Sequence, residues 1–282
     1  MRMNGNEFHE RLDGFYAAGD APGAYAFLCE TRFAAVAAGD RAMLLTVDNA
    51  LIGHCRENVI FDEVEGYYRE ALECIEALGL HGSQAEATTF LNTATAYCIM
   101  GRTEESEALY DAAEALYRRL LPPGDPYMAA IRNNRGLLLR AQGRQAEAYA
   151  AFSGSRAILA ECAGDVAAER AATLLNLVSV CPDLEEAKAY LAEAMEYYHT
   201  PDGQQDIHRF TAMAAAAELA LRGGDAQGAG AGFEAAADAW ERSGGARQRL
   251  RILLGNAEHC YAQSGDTAAL SRVRRRKEEI AP

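Results

Sequence analysis

Small and apolar residues recur three and four positions apart along most of the chain, and no run of alternating β-branched residues is long enough for a strand, so the pattern predicts helices throughout. Sliding the sequence on itself exposes a repeat. Leu91-Asn92-Thr93-Ala94-Thr95-Ala96-Tyr97, followed by Gly101-Arg102, overlays Asn133-Asn134-Arg135-Gly136-Leu137-Leu138-Leu139, followed by Gly143-Arg144, at an offset of 42 residues. The same offset carries Ser106 onto Ala148, Tyr110 onto Phe152 and Ala113 onto Ser155. The match therefore spans two helices, and a unit of two helices is what repeats.

The pattern continues in both directions. Downstream it passes through Asn176, Val178, Cys181, Ala187, Leu191 and Ala194, with a short deletion at Pro182-Asp183. It then runs through Ala217, Ala220, Gly224, Ala229, Phe233 and Ala236, and ends on Asn256, Tyr261, Gly265 and Asp266. Upstream, Ile52, Cys55, Val59, Val64, Tyr68 and Ala71 fit the offset, and Phe15, Gly19, Ala24 and Leu28 form a weaker first unit. The expectation is an all-α solenoid of about seven antiparallel helix pairs over residues 1–282, with divergent capping units over about 1–40 and 246–282.

Each element of the repeat has a physical reason. Small residues (Ala94, Gly136, Ala217) let the helices of a pair approach, while Tyr97, Tyr110, Leu139, Phe152 and Phe233 are expected to fill the space between neighbouring pairs. Glycine at Gly19-Asp20, Gly101-Arg102, Gly143-Arg144, Gly224-Asp225 and Gly265-Asp266 suits the left-handed residue that ends a helix. Pro122-Pro123-Gly124-Asp125-Pro126, His199-Thr200-Pro201-Asp202-Gly203 and Ser243-Gly244-Gly245 read as breakers between pairs.

The segments Leu91 to Tyr110 and Asn133 to Phe152 resemble the tetratricopeptide repeat, in the longer variety found in kinesin light chains and many bacterial proteins. That resemblance implies a right-handed superhelix whose first helices line a concave groove receiving peptides or protein segments. Asn92, Asn134, Asn176 and Asn256 hold equivalent places on first helices. An amide offers both a donor and an acceptor and so reads a peptide backbone whatever its side chains. The bland alternative is that these amides tie adjacent helices together, offsetting the poor helix propensity of asparagine. Asn49 and Asn133 widen the strip, and Arg56, Arg140 and His259 lie further along the same helices, where they can meet a carboxylate. The regular Lys/Arg and Asn pairs of the family's carboxylate clamp are missing from the pattern.

Charge narrows the partners. A formal net charge of -14 and a pI of about 4.9 repel phosphate backbones and anionic headgroups, so neither nucleic acid nor membrane is expected as a partner. The one basic cluster, Arg272, Arg274, Arg275, Arg276 and Lys277, reads as cations near the negative end of the last helix, or else as a docking patch. Seven scattered cysteines without Cys-x-x-Cys spacing suit reduced thiols. Met1 to Glu10 lacks the apolar run of a signal peptide, and a cytoplasmic location is expected.

Catalytic chemistry has no visible basis. The six histidines, His9, His54, His81, His199, His208 and His259, show no metal-binding spacing, and no cofactor is implied. The stretch Gly223 to Gly232 lacks the Lys-Ser/Thr ending and the preceding strand of a phosphate loop. The acid pairs Glu104-Glu105, Glu185-Glu186 and Glu278-Glu279 fall on solvated faces. The sequence thus points to a non-enzymatic scaffold for a protein or peptide partner, a monomer or homodimer. The alternatives are a peptide-sensing regulator acting through another chain, because the first helix begins near Asn6, and a self-associating structural module.

Overall fold

The computed structural model describes residues 3–58, 60–243 and 247–280; Met1, Val59, Gly244 and Gly245 lie outside them. The described residues form two compact units, 1–162 and 163–282. The first holds four antiparallel pairs: α1 (Gly5–Ala17) with α2 (Ala21–Ala38), α3 (Arg41–Asn58) with α4 (Val64–Ala77), α5 (Gln84–Ile99) with α6 (Thr103–Leu120), and α7 (Pro126–Ala141) with α8 (Gln145–Glu161). The second holds three: α9 (Ala167–Val180) with α10 (Leu184–Tyr198), α12 (Arg209–Arg222) with α13 (Ala226–Arg242), and α14 (Arg247–Ser264) with α15 (Thr267–Glu279). A fifteenth helix, the short α11 (Pro201–Gln205), stands between α10 and α12. Seven pairs match the repeat, and the architecture is an all-α solenoid.

The turns within pairs are built as the sequence implies. Gly19, Gly224 and Gly265 take φ of 70°, 89° and 78°, and the aspartate after each caps the next helix by accepting the N–H of Gly23, Gly228 or Ala269. Where arginine follows the glycine, at Arg102 and Arg144, no side-chain cap forms. Instead the guanidinium grips Glu105 or Glu147 on the first turn, Nε lying 3.0 Å and 2.8 Å from a carboxylate oxygen.

The breaker expected at His199 to Gly203 ends α10, and from Pro201 on it starts a short helix of its own. Thr200 accepts the Gly203 N–H at 3.1 Å and Pro201 occupies the first turn, so the same residues that end α10 start α11.

Packing within a pair follows a small-against-large rule. A Cβ on Gly136 would lie 2.4 Å from the Phe152 ring, so this glycine is what lets the phenylalanine sit fully buried between α7 and α8. Tyr110, also fully buried, donates its hydroxyl to Thr95 Oγ1 at 3.1 Å within the α5–α6 pair. Both rings thus anchor their own pair, and Tyr110 also shares a buried cluster with Met128, Ile131 and Leu138 of α7 in the next one. The glycine-rich stretch before and within α13 is equally structural. Gly230 lies beneath the Tyr261 ring, 2.7 Å from an added Cβ, and Gly232 lies against Ala217 at 2.9 Å.

Neighbouring pairs are joined in two different ways. Within the first unit α3 packs on α5 and α5 on α7, whereas α4 with α6 and α6 with α8 make almost no backbone approach. The first helices are therefore the crowded side of this stack. Long side chains span the more open side: Arg32 reaches Glu70, Tyr25 donates to Glu63 at 2.8 Å, and Arg102 reaches Glu65 at 2.7 Å.

Candidate functional site

On the crowded side, side-chain amides and hydroxyls form a strip across three first helices. Asn49 on α3 donates to the Leu45 carbonyl at 3.0 Å and to Thr89 Oγ1 of α5 at 2.9 Å. Its own oxygen accepts from Asn92 Nδ2 of α5 at 3.2 Å. One repeat further on, Asn134 of α7 donates to Thr95 Oγ1 of α5 at 3.4 Å, and that hydroxyl donates to the Leu91 carbonyl at 2.8 Å. The three asparagines are half-buried. A helix-interior asparagine loses free energy relative to alanine unless its amide is bonded, and here α3, α5 and α7 supply the partners.

The strip is unevenly used. Asn49 spends both ends of its amide inside the protein. Asn92 and Asn134 each commit one N–H, and no further partner falls to either among the described residues, so each keeps a carbonyl oxygen and a second N–H.

The other predicted positions are less tightly grouped. Asn133 and Arg140, half-buried on α7, both have partners within the protein. Arg140 holds the Cys98 thiol back from the rise that burial causes. Arg56 pairs with its neighbour Glu57 at 2.7 Å. In the second unit, Asn176 on α9 is half-buried and has a partner, and Ser179 donates to its carbonyl at 2.7 Å. Asn256 and His259 are exposed on α14, on the same stripe as exposed Ile252.

The basic cluster on α15 is drawn into the fold. Arg272 binds Glu234 at 2.7 Å, Arg276 binds Asp238 and reaches Glu241 at 2.6 Å, and Arg274 and Lys277 share Glu258 at 2.8 Å. Four of its five cations are thereby committed to α13 and α14.

Sequence reasoning missed a polar knot where α2, α3 and α4 meet. Asp48 is fully buried, with one oxygen 2.8 Å from Arg32 Nε and the other without a partner. Burial pushes its carboxyl up to about 6 against the opposing pull of Arg32. Arg32 also reaches Glu70 and lies over the Tyr67 ring at 5.2 Å. The available signal was the spacing: Arg32 with Glu70 and Tyr25 with Glu63 are each 38 residues apart, as are Arg272 with Glu234 and Arg276 with Asp238.

A second missed feature is a cleft of about 540 Å³ on the open side, between α6, α7 and α8, where Arg118, Arg132 and Arg135 meet Asp111 and Glu114. Arg135 contacts Asp111 at 2.6 Å and Glu114 at 2.8 Å, and Arg118 contacts Glu114 at 2.6 Å, so most of its charge is internally balanced. Among the described residues no cluster of three His, Cys, Asp or Glu side chains is arranged to hold a metal, and no helix is long and apolar enough to cross a membrane.

No family model matches the sequence, and no curated protein matches it. Solved structures do. The chain is similar to BtubC (BKLC) from P. vanneervenii, with 18% identity and a TM-score of 0.55 over 86% of this chain and 91% of that one. It is also similar to a kinesin light chain-type protein of Podosopora anserina with nearly identical TPR-like repeats, at 16% identity and a TM-score of 0.54 over 68% of this chain and 93% of that one. A substituted form of the latter gives 15% identity and a TM-score of 0.52 over 79% of this chain and 97% of that one. At such identities the likeness concerns the fold, and what it establishes, together with the seven helix pairs and their small-against-large packing, is that this chain has the fold of TPR-like repeat proteins.

Proposed function

We propose that the protein is a non-catalytic scaffold of helix pairs, and that the strip on the first helices of its first unit receives an extended segment of a protein partner. The observation that carries this reading is the half-spent state of Asn92 and Asn134, each anchored by one N–H while a carbonyl oxygen and a second N–H stay unmatched. An anchored amide is a pre-oriented one, so a visiting peptide unit gains a donor and an acceptor without first ordering the side chain. Two such amides on adjacent helices offer an extended chain successive backbone contacts. The net charge of -14 favours a neutral or basic segment over an acidic one.

Binding is tested by passing a library of extended peptides over the immobilised full chain. Asn92→Ala and Asn134→Ala are each expected to weaken retained peptides by about 0.5 to 1.5 kcal/mol, with helicity unchanged. Undiminished retention in the double variant removes the strip from the account.

A further inference from the structure

In the second unit, α10, α11, α12 and α13 enclose a cleft of about 420 Å³, within the size range of small-molecule sites. Its lining is unlike the rest of the molecule. Arg209 and Arg242 contribute charge, Met195, Phe210 and Met213 contribute apolar surface, and no aspartate or glutamate is among the lining residues. In a chain with 41 acidic and 27 basic side chains, that is a local reversal of sign. Neither arginine is spent on an ion pair among the described residues; Arg209 lies over the Phe210 ring at 4.4 Å.

A further observation points the same way. Tyr198 lines the cleft with 2% of its surface exposed, and its hydroxyl has no hydrogen-bond partner. A buried hydroxyl without a partner is rare in a native fold, and this one belongs to a residue of the cleft lining. Burial, with the Asp206 carboxylate second, raises the tyrosine's titration, so the hydroxyl stays a neutral donor. Asp206 itself is engaged twice, accepting the His208 N–H at 2.8 Å and bonding the Tyr197 side chain.

The wall is built by the unexpected helix. α11 lies tight against the end of α10, where a Cβ on Gly203 would fall 2.1 Å from the Tyr197 carbonyl, and Gln204 donates to the Tyr198 carbonyl at 2.7 Å. The corresponding joint between α6 and α7, Pro122 to Asp125, carries no such helix.

We propose that this cleft binds a small amphiphilic anion, an apolar or aromatic body seated on Phe210, Met195 and Met213 with a carboxylate or phosphate held by Arg209, Arg242 and the Tyr198 hydroxyl. The site is separate from the asparagine strip. Guanidinium groups suit either oxyanion, and the apolar floor distinguishes such a ligand from a free inorganic ion.

The single tryptophan gives the readout, because Trp240 meets the Phe210 ring edge-on at a centroid distance of 5.2 Å. The full chain is titrated with phenyl phosphate, phenylacetate, benzyl alcohol and inorganic phosphate, following tryptophan emission and calorimetric heat. Saturable binding of one or both aromatic anions is expected, with benzyl alcohol and inorganic phosphate at least about tenfold weaker; preference for one aromatic anion identifies the oxyanion. Arg209→Gln and Arg242→Gln should each cut affinity about tenfold, as the loss of a charge-assisted bond implies, and Arg272→Gln should leave it unchanged. Tyr198→Phe removes only the unpartnered hydroxyl, so it should fold normally and bind several-fold more weakly. No saturable binding of either aromatic anion, equal binding of inorganic phosphate, or unaltered affinity in all three cleft variants overturns the proposal.

Discussion

Gly136 shows how much of the fold rests on single atoms. An added methyl would lie 2.4 Å from the fully buried Phe152 ring, so the ring or the α7 backbone must shift to admit it. Gly136→Ala should therefore lower stability by about 1 to 3 kcal/mol through overpacking, despite alanine's better helix propensity. The reciprocal Phe152→Ala should lower it by about 3 to 5 kcal/mol through the cavity. Urea denaturation of both variants measures this, and a stabilised Gly136→Ala would mean the two helices are further apart than described.

Asp48 makes a pH prediction at the same scale. Its carboxyl titrates near 6 in the folded protein, against about 3.9 for a free aspartate, because burial outweighs Arg32. A raised carboxyl means the folded state binds the proton more tightly than the unfolded chain. The stability this group contributes is thus fully present below about pH 4 and is lost as pH rises through about 6. Asp48→Asn keeps an oxygen for Arg32 without the buried charge. Its melting temperature relative to the unmodified protein should rise between about pH 4 and pH 7. A difference independent of pH would show that Asp48 is not held as its surroundings imply.

At the scale of elements, the sequence was most readable where one residue type has one structural use. Gly19-Asp20, Gly224-Asp225 and Gly265-Asp266 mark helix ends because a left-handed residue followed by a capping carboxylate serves little else. Thr200-Pro201 was ambiguous for the opposite reason: threonine followed by proline ends one helix as readily as it starts another, and here it does both. The asparagine column was visible as a repeat. Its partners Thr89 and Thr95 were not, because a helix-interior threonine gives no sign of whether its hydroxyl faces its own helix or the next.

The ion pairs joining second helices were legible only once the period was known. Their separation of 38 residues is about one helical turn short of the 42-residue repeat, which is how far a long arginine reaches along its neighbour. These pairs are partly exposed, with Arg276 at 23% and Asp238 at 43%. A double-mutant cycle on Arg276 and Asp238 should return a coupling of no more than about 1 kcal/mol, weaker at high salt. A larger, salt-independent coupling would mean that these bridges, rather than the packing of α13 on α14, hold the last two pairs together.

For the molecule as a whole, fold and function differ in how they are encoded. Helix pairs repeat, so each unit reinforces the reading of the next, and seven pairs emerge from a match first seen in two. Function does not repeat. Asn49 consumes its amide internally, Asn92 and Asn134 keep part of theirs, and Asn256 lies exposed on α14, so equivalent positions in the repeat have unequal capacity to bind. The cleft beside Tyr198 escaped the sequence altogether, because one wall is α11, the one helix among the described residues that stands outside the repeat.

The central claim is that the first-helix strip binds an extended chain through its backbone. Its most direct measurement is calorimetric titration of the full protein with a peptide retained from the library, repeated with that peptide N-methylated at successive backbone positions. The account predicts that methylation at one or two positions weakens binding to the unmodified protein, and that the same methylation has little further effect once Asn92 and Asn134 are alanine. Equal losses in both proteins, or full affinity in the alanine variant, would contradict it.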